Sequence, residues 1–247
     1  MRLPSALAAA DEQCVAVVGA GGKKTALYRL GGLLDRAVVT ATVRIPIFDD
    51  EVAEVVVTDD PVSTLQSRTD DADAWPLGLV PERERDDRYR GYDPETVDDV
   101  AAAHDGPVLV KADGARTRLL KAPDEREPQL PAGADTVLAV ASARVVGKPL
   151  SEQWVHRPEL VADLTGLDVG DELDATDVAR VLASTDGGLK DVPDEARAVA
   201  VVNMVDDDAL RATGEAVAAE VLSLTDRVDR VVLTQLVAPD PVVEVFA

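Results

Sequence analysis

The chain has 247 residues, 46% of them hydrophobic, which is enough apolar material for a full core in a single domain spanning 1–247. Its 47 acids outnumber 25 bases for a net charge of −22, a balance that disfavours nucleic acid as a general partner and suits a halophilic setting, where molar salt screens self-repulsion. No apolar run reaches the length of a membrane span and the first residues lack the blocks of a secretory signal, so a cytoplasmic protein with no membrane partner is expected.

Residues 1–12 form a short apolar lead-in, read as a helix on the edge of a sheet. The stretch 14–30, CVAVVGAGGKKTALYRL, is the unit around which the other elements are arranged. Its five apolar residues at 14–18 read as a strand buried on both faces, with Cys14, the one cysteine, as a small buried hydrophobe. Gly19, Ala20, Gly21, Gly22, Lys23, Lys24 and Thr25 then turn the chain into a helix, in which Ala26, Leu27 and Leu30 recur at helical spacing. Strand, glycine loop and helix in that order make an anion site, because glycines let backbone N–H groups close on a phosphate at the positive end of the helix. Lys23 narrows this to nucleotide phosphate. The spacing G-x-x-G-K from Gly19 to Lys23 is shorter than the standard G-x-x-x-x-G-K-[ST], since Val17 stands where the first glycine belongs. Lys24 takes the place of the metal-binding hydroxyl, and Thr25 offers one a residue late. The dinucleotide fingerprint begins at Gly19 and fails at Lys24, and the second strand ends in Thr40 where a ribose-binding acid would stand.

That second strand covers 37–40. Thr40, Thr42 and Arg44 at its carboxyl end read either as phosphate contacts or as residues suited to extended backbone. A third strand covers 54–57, and over 59–92 the pattern dissolves into charge, as in a mobile loop or small insertion over the site. The acid runs at 49–51, 70–73 and 206–208 read as solvated surface. Asp93 and Pro94 open a helix through 103, and strand 108–110 runs into Asp113. An aspartate at a strand mouth is where P-loop proteins hold magnesium, because a hard cation takes carboxylate oxygen; the alternative is a plain Asp-Gly turn. Strand 135–140 comes next. His156 lies beside Arg157, whose charge lowers the imidazole pKa, and it reads as a general base, a phosphate contact or a loop histidine without chemistry. Pro158 starts one helix and Thr176 caps the next. The strand at 198–202 ends in Asn203 and Asp206, either a purine contact or a cap cluster for the helix carrying Leu210, Val217 and Val221. Strands at 230–233 and 242–245 close the sheet. The fold expected is α/β: a P-loop-like three-layer fold with a mostly parallel central sheet and helices on both faces.

The motifs VGAGGK (18–23), TAT (40–42), ADGAR (112–116), LKAP (120–123) with Glu127-Pro128, GKPL (147–150), VHRPE (155–159) and Asn203 to Asp206 run through nearly the whole chain. In that order they resemble the YqeC type of selenium-dependent hydroxylase accessory proteins, also described as selenium cofactor biosynthesis proteins. The chain departs from the family where Lys24 replaces a threonine, Lys111 replaces an acid and Ala41 interrupts a fuller threonine run. The resemblance implies a nucleotide-binding P-loop-like fold and a supporting role in maturing molybdenum hydroxylases.

The expected function is therefore phosphoryl transfer or NTP hydrolysis with Mg²⁺ and ATP or GTP. Gly19 to Lys23 would hold the β- and γ-phosphates, with Lys24, Thr40, Thr42, Asn203 and Asp206 completing the nucleotide contacts. Thr25 and Asp113 would hold the metal, and Arg116, His156 or Arg157 the second substrate or developing charge. The alternative is a non-catalytic, nucleotide-gated carrier or chaperone for the molybdenum cofactor or its apo-hydroxylase, with charged loops such as 82–90 as its contact surface. A dinucleotide oxidoreductase is a third reading, disfavoured by Lys24 and Thr40.

Overall fold

In a computed structural model, which describes residues 1–68 and 72–247, the apolar run at Cys14 becomes the middle strand of a nine-stranded sheet. The sheet strands are β1 (Cys14–Gly19), β2 (Val38–Ala41), β3 (Glu54–Val57), β4 (Leu77–Val80), β5 (Val108–Lys111), β6 (Thr136–Ser142), β7 (Arg197–Asn203), β8 (Val228–Thr234) and β9 (Val242–Phe246). Across the sheet they run β9-β8-β7-β6-β1-β5-β2-β4-β3, and every pairing is parallel except β8 with β9. The chain leaves β1 toward one edge and later returns to build the other side. That reversal puts a crevice at the carboxyl end of β1, where open α/β sheets bind ligands.

The helices are α1 (Leu3–Ala6), α2 (Lys23–Gly31), α3 (Pro61–Gln66), α4 (Pro94–Ala103), α5 (Pro158–Thr165), α6 (Ala175–Ala183) and α7 (Asp208–Leu224). Both faces of β1 are buried because alternate residues feed two cores. Cys14, Ala16 and Val18 pack with Val97 and Val100 of α4, Val178 of α6 and Val217 and Val221 of α7. Val15 and Val17 pack with Leu3 and Ala6 of α1 and Ala26, Leu27 and Leu30 of α2. The result is the expected three-layer α/β architecture. Cys14 is buried, and desolvation, with Asp135 and Asp98 nearby, pushes its thiol up to about 12.

Three local readings change. The lead-in is helical only over the four residues of α1. The charged stretch after residue 59 contains α3, the fully buried β4 and a two-residue strand, Arg88–Tyr89, antiparallel to Ile45–Pro46. Asp70 and Asp71 of its acid run lie outside the described residues. The cap of α6 is Asp174 rather than Thr176: its carboxylate accepts the Asp177 N–H at 2.9 Å while Asp177 accepts the Asp174 N–H at 3.0 Å, a reciprocal capping box. Asp207 likewise caps α7, accepting the Leu210 N–H at 2.8 Å. No helix among the described residues is long and apolar enough to cross a membrane.

Candidate functional site

The glycine loop is pinned from three sides. Gly19, at φ +92°, lies so close to β6 that a Cβ would collide with the Val140 carbonyl. Its N–H donates to Asp113 Oδ2 at 2.8 Å, the Ala20 N–H to Val140 O at 2.7 Å and the Gly21 N–H to Arg118 O at 2.9 Å. Gly22, at φ +148°, meets Asn203, whose Nδ2 donates to Gly21 O at 2.8 Å. The loop amides at 19–21 are thus spent inside the protein. The N–H groups of Gly22, the N-cap of α2, and of Lys23, Lys24 and Thr25 in its first turn donate to no acceptor among the described residues. Helix starts carry such orphan donors together with the positive end of the dipole.

Lys23 is buried, and its ammonium is held by the Gly19 carbonyl and by Asp113 Oδ1. Burial lowers the pKa of this amine from its ordinary value, and the Asp113 carboxylate opposes that shift. Asp113 is 2% exposed. Its other oxygen faces Lys121 Nζ at 2.9 Å, and Lys121 in turn donates to Gly114 O and to Glu127 Oε2, both at 2.6 Å. Glu127 also accepts the Gly114 N–H at 2.9 Å and Arg157 Nη1 at 2.8 Å, and Arg157 Nη2 reaches Asp124 at 2.5 Å. Burial works to raise Glu127, but Lys121, Arg157 and the Gly114 N–H together hold it at about 2. Lys111, at the end of β5, donates to Arg44 O at 3.0 Å and Asp113 O at 2.6 Å. Burial, with Lys23 adding its charge, pushes Lys111 down to about 7.

In front of this network opens a cleft of about 700 Å³, within the range of small-molecule sites. Lys23, Lys24, Lys111, Arg44, Arg88, Arg116, Arg118 and Arg157 line it, and Glu127 is the single acid among the lining residues. A cation-lined cleft on a chain of net charge −22 concentrates positive potential at one place. Arg116 is exposed and its guanidinium has no partner among the described residues; it sits with Thr117 in left-handed backbone, at φ 46° and 61°. Two consecutive non-glycine residues in that region are costly and concentrate at functional sites. His156 also lines the cleft, and burial together with Arg157 and Lys121 pushes it down to about 4.

Of the residues singled out in the sequence, Ala20, Gly21, Gly22, Lys23, Lys24, Thr25, Arg116, His156 and Arg157 share this cleft. Gly19 and Asp113 lie beneath it, beside a separate cavity of about 20 Å³. Thr40 is buried with its hydroxyl on Leu79 O at 2.7 Å, and Thr42 donates to Gln129 O at 2.6 Å. Asn203 accepts from Thr234 Oγ1 and the Leu236 N–H, both at 3.1 Å, besides tying down Gly21. Asp206 pairs with Arg144. Motif spacing does not reveal the supporting roles of Lys121, Glu127 and Lys111. The LKAP and Glu127-Pro128 motifs mark Lys121 and Glu127 without saying what they bind, and the scarcity of lysine, six in the chain, points to Lys121 and Lys111 as well.

The donor chemistry fits an anion better than a bare cation. Both Asp113 oxygens are occupied by Lys23, Lys121 and the Gly19 N–H, Thr25 is the remaining candidate ligand on the cleft, and no three His, Cys, Asp or Glu side chains gather into a metal site among the described residues. Fold and site together define a mostly parallel α/β protein with a cation-lined cleft beside a glycine loop at the carboxyl end of its middle strand. Comparison with known proteins gives this class a family: the model described as YqeC protein matches residues 15–159, and the chain belongs to that family. The uncharacterized protein YqeC of Escherichia coli (strain K12) is 30% identical over 198 residues, covering 76% of this chain and 75% of that protein. No solved structure matches.

Proposed function

We propose that the cleft takes the polyphosphate tail of a nucleoside triphosphate, ATP or GTP, and that the protein serves as an NTP-dependent accessory factor in the maturation of molybdenum hydroxylases, selenium-dependent ones included. The observation that carries the nucleotide half is the meeting, on one cleft of a strongly acidic chain, of Lys23, Lys24 and Arg116 with four N–H groups at the start of α2 that have no acceptor among the described residues. The hydroxylase half rests on the motif resemblance.

On this reading the first turn of α2 and Lys24 bind the phosphates, and Lys23 exchanges its bond with Asp113 for one to phosphate. Arg116, lining the same cleft, neutralises further charge. The Thr25 hydroxyl would offer an oxygen ligand to a magnesium ion carried on the nucleotide's phosphates, and that ion would supply charge neutralisation. Positioning and electrostatics are what phosphoryl transfer demands of a protein. His156, neutral at pH 7, adds no charge and leaves its ring nitrogens for hydrogen bonding to a second substrate.

One observation favours the carrier reading: Glu127, the one acid on the cleft, has both oxygens bonded, so no free carboxylate orients an attacking group. Hydrolysis assays with ATP and GTP decide between the two. The enzymatic reading expects Mg-dependent turnover that Lys23→Ala abolishes, and undiminished turnover by Lys23→Ala overturns it. Saturable binding with turnover at background, together with co-purification of an apo-hydroxylase, establishes the carrier.

A further inference from the structure

The Asp113 carboxylate is shared between two lysines. Oδ1 takes Lys23, the lysine on the cleft, while Oδ2 accepts the Gly19 N–H at 2.8 Å and faces Lys121 Nζ at 2.9 Å. Lys121 lies off the cleft, with its side chain 1% exposed, and is fastened by Glu127 and the Gly114 carbonyl. A buried carboxylate stays ionised only while it is compensated, and stripping a buried pair of one partner is strongly unfavourable. A phosphate can therefore recruit Lys23 only if something else continues to satisfy Asp113.

Resting on the proposed binding of nucleotide, we infer that Lys121 is the positioning residue that makes this exchange feasible: it stays on Asp113 when Lys23 turns to phosphate, and so sets how easily the cleft lysine is released. Lys121 itself touches no ligand. Glu127 keeps it in place, and because Glu127 is also relieved by Arg157 and the Gly114 N–H, Lys121 is free to lean toward Asp113.

The test is calorimetric titration of the full chain with MgATP, in Lys121→Met, Lys121→Arg, Asp113→Asn and the double variant Asp113→Asn/Lys121→Met. Lys121→Met is expected to weaken binding by roughly tenfold or more, since Asp113 then keeps only the Gly19 N–H once Lys23 leaves. Lys121→Arg is expected to bind like the wild type. In the Asp113→Asn background, where no carboxylate competes for Lys23, Lys121→Met is expected to cost nothing further. A lysine that only supported the fold would weaken binding equally in both backgrounds, and that result, or wild-type affinity in Lys121→Met, overturns the inference. Should Lys121→Met fail to melt cooperatively, Lys121→Gln, which keeps a polar side chain without the charge, replaces it in both backgrounds: weakened binding beside Asp113 and no weakening in the Asp113→Asn background supports the inference, and equal effects in the two overturn it. A wild-type chain that does not bind MgATP removes the nucleotide reading and this inference together, whereas binding without coupling between the two substitutions removes the inference alone.

Discussion

Replacing Asn203 with alanine removes the clasp that ties the glycine loop to the far half of the sheet. The side chain is buried and makes three hydrogen bonds: to Gly21 O at 2.8 Å, and from Thr234 Oγ1 and the Leu236 N–H at 3.1 Å each. A net hydrogen bond between neutral groups contributes about 0.5–1.5 kcal/mol, and a buried partner left unpaired costs about 1–3 kcal/mol. Three such partners, partly able to relax, put the expected loss at about 3 kcal/mol. For a chain of this size a kilocalorie moves Tm by about 2–4 °C, so Asn203→Ala should melt about 6–12 °C below the wild type. Circular dichroism melts in molar KCl measure this directly. Because the freed segment sets the approach to the first turn of α2, affinity for MgATP should fall in the same variant. A Tm loss below about 2 °C would refute the idea that Asn203 holds the loop.

Two pH experiments probe the same geometry. Glu127 is held at about 2 in the folded protein against an ordinary value of 4.5, so its contribution to stability is fully present above pH 4.5 and is lost as pH falls toward 2. Glu127→Gln should therefore flatten the fall of Tm across that window as well as lower Tm at neutral pH, and parallel Tm–pH curves would contradict the assignment. His156, pushed down to about 4, should titrate near that value when its ring protons are followed by NMR, well below an exposed histidine. A midpoint near 6.5 would mean that the ring is neither buried nor beside Arg157 in solution.

The unit from β1 through the glycine loop to α2 was legible because each part needs only local information. A five-residue apolar run, glycines and a lysine followed by helical spacing sit within seventeen residues. The parallel sheet was readable from alternating strands and helices. β4 was hidden because its four residues lie between Pro76 and Pro81 in a charged neighbourhood, with Gly78 in the middle where a Cβ would strike Phe48 and Val55. Missing β4 also concealed the role of Thr40, whose hydroxyl bonds the carbonyl of Leu79 in that strand. The cap at Asp174 was readable from the acid three residues later, yet Thr176 offered an equally plausible hydroxyl. The ion network was the least accessible part. Lys23 and Asp113 are 90 positions apart and meet only because β1 and β5 are neighbours, so no spacing rule announces that the lysine and the carboxylate are each other's partners.

Calorimetric titration of the wild-type chain and Lys23→Ala with MgATP in molar KCl tests the central claim most directly. Saturable one-to-one binding by the wild type, lost in the variant, is the predicted result, and at 100 times its Kd such a ligand stabilises the fold by about 2.7 kcal/mol. Equal affinity in the two proteins, or no saturable heat with either ATP or GTP, would contradict the account.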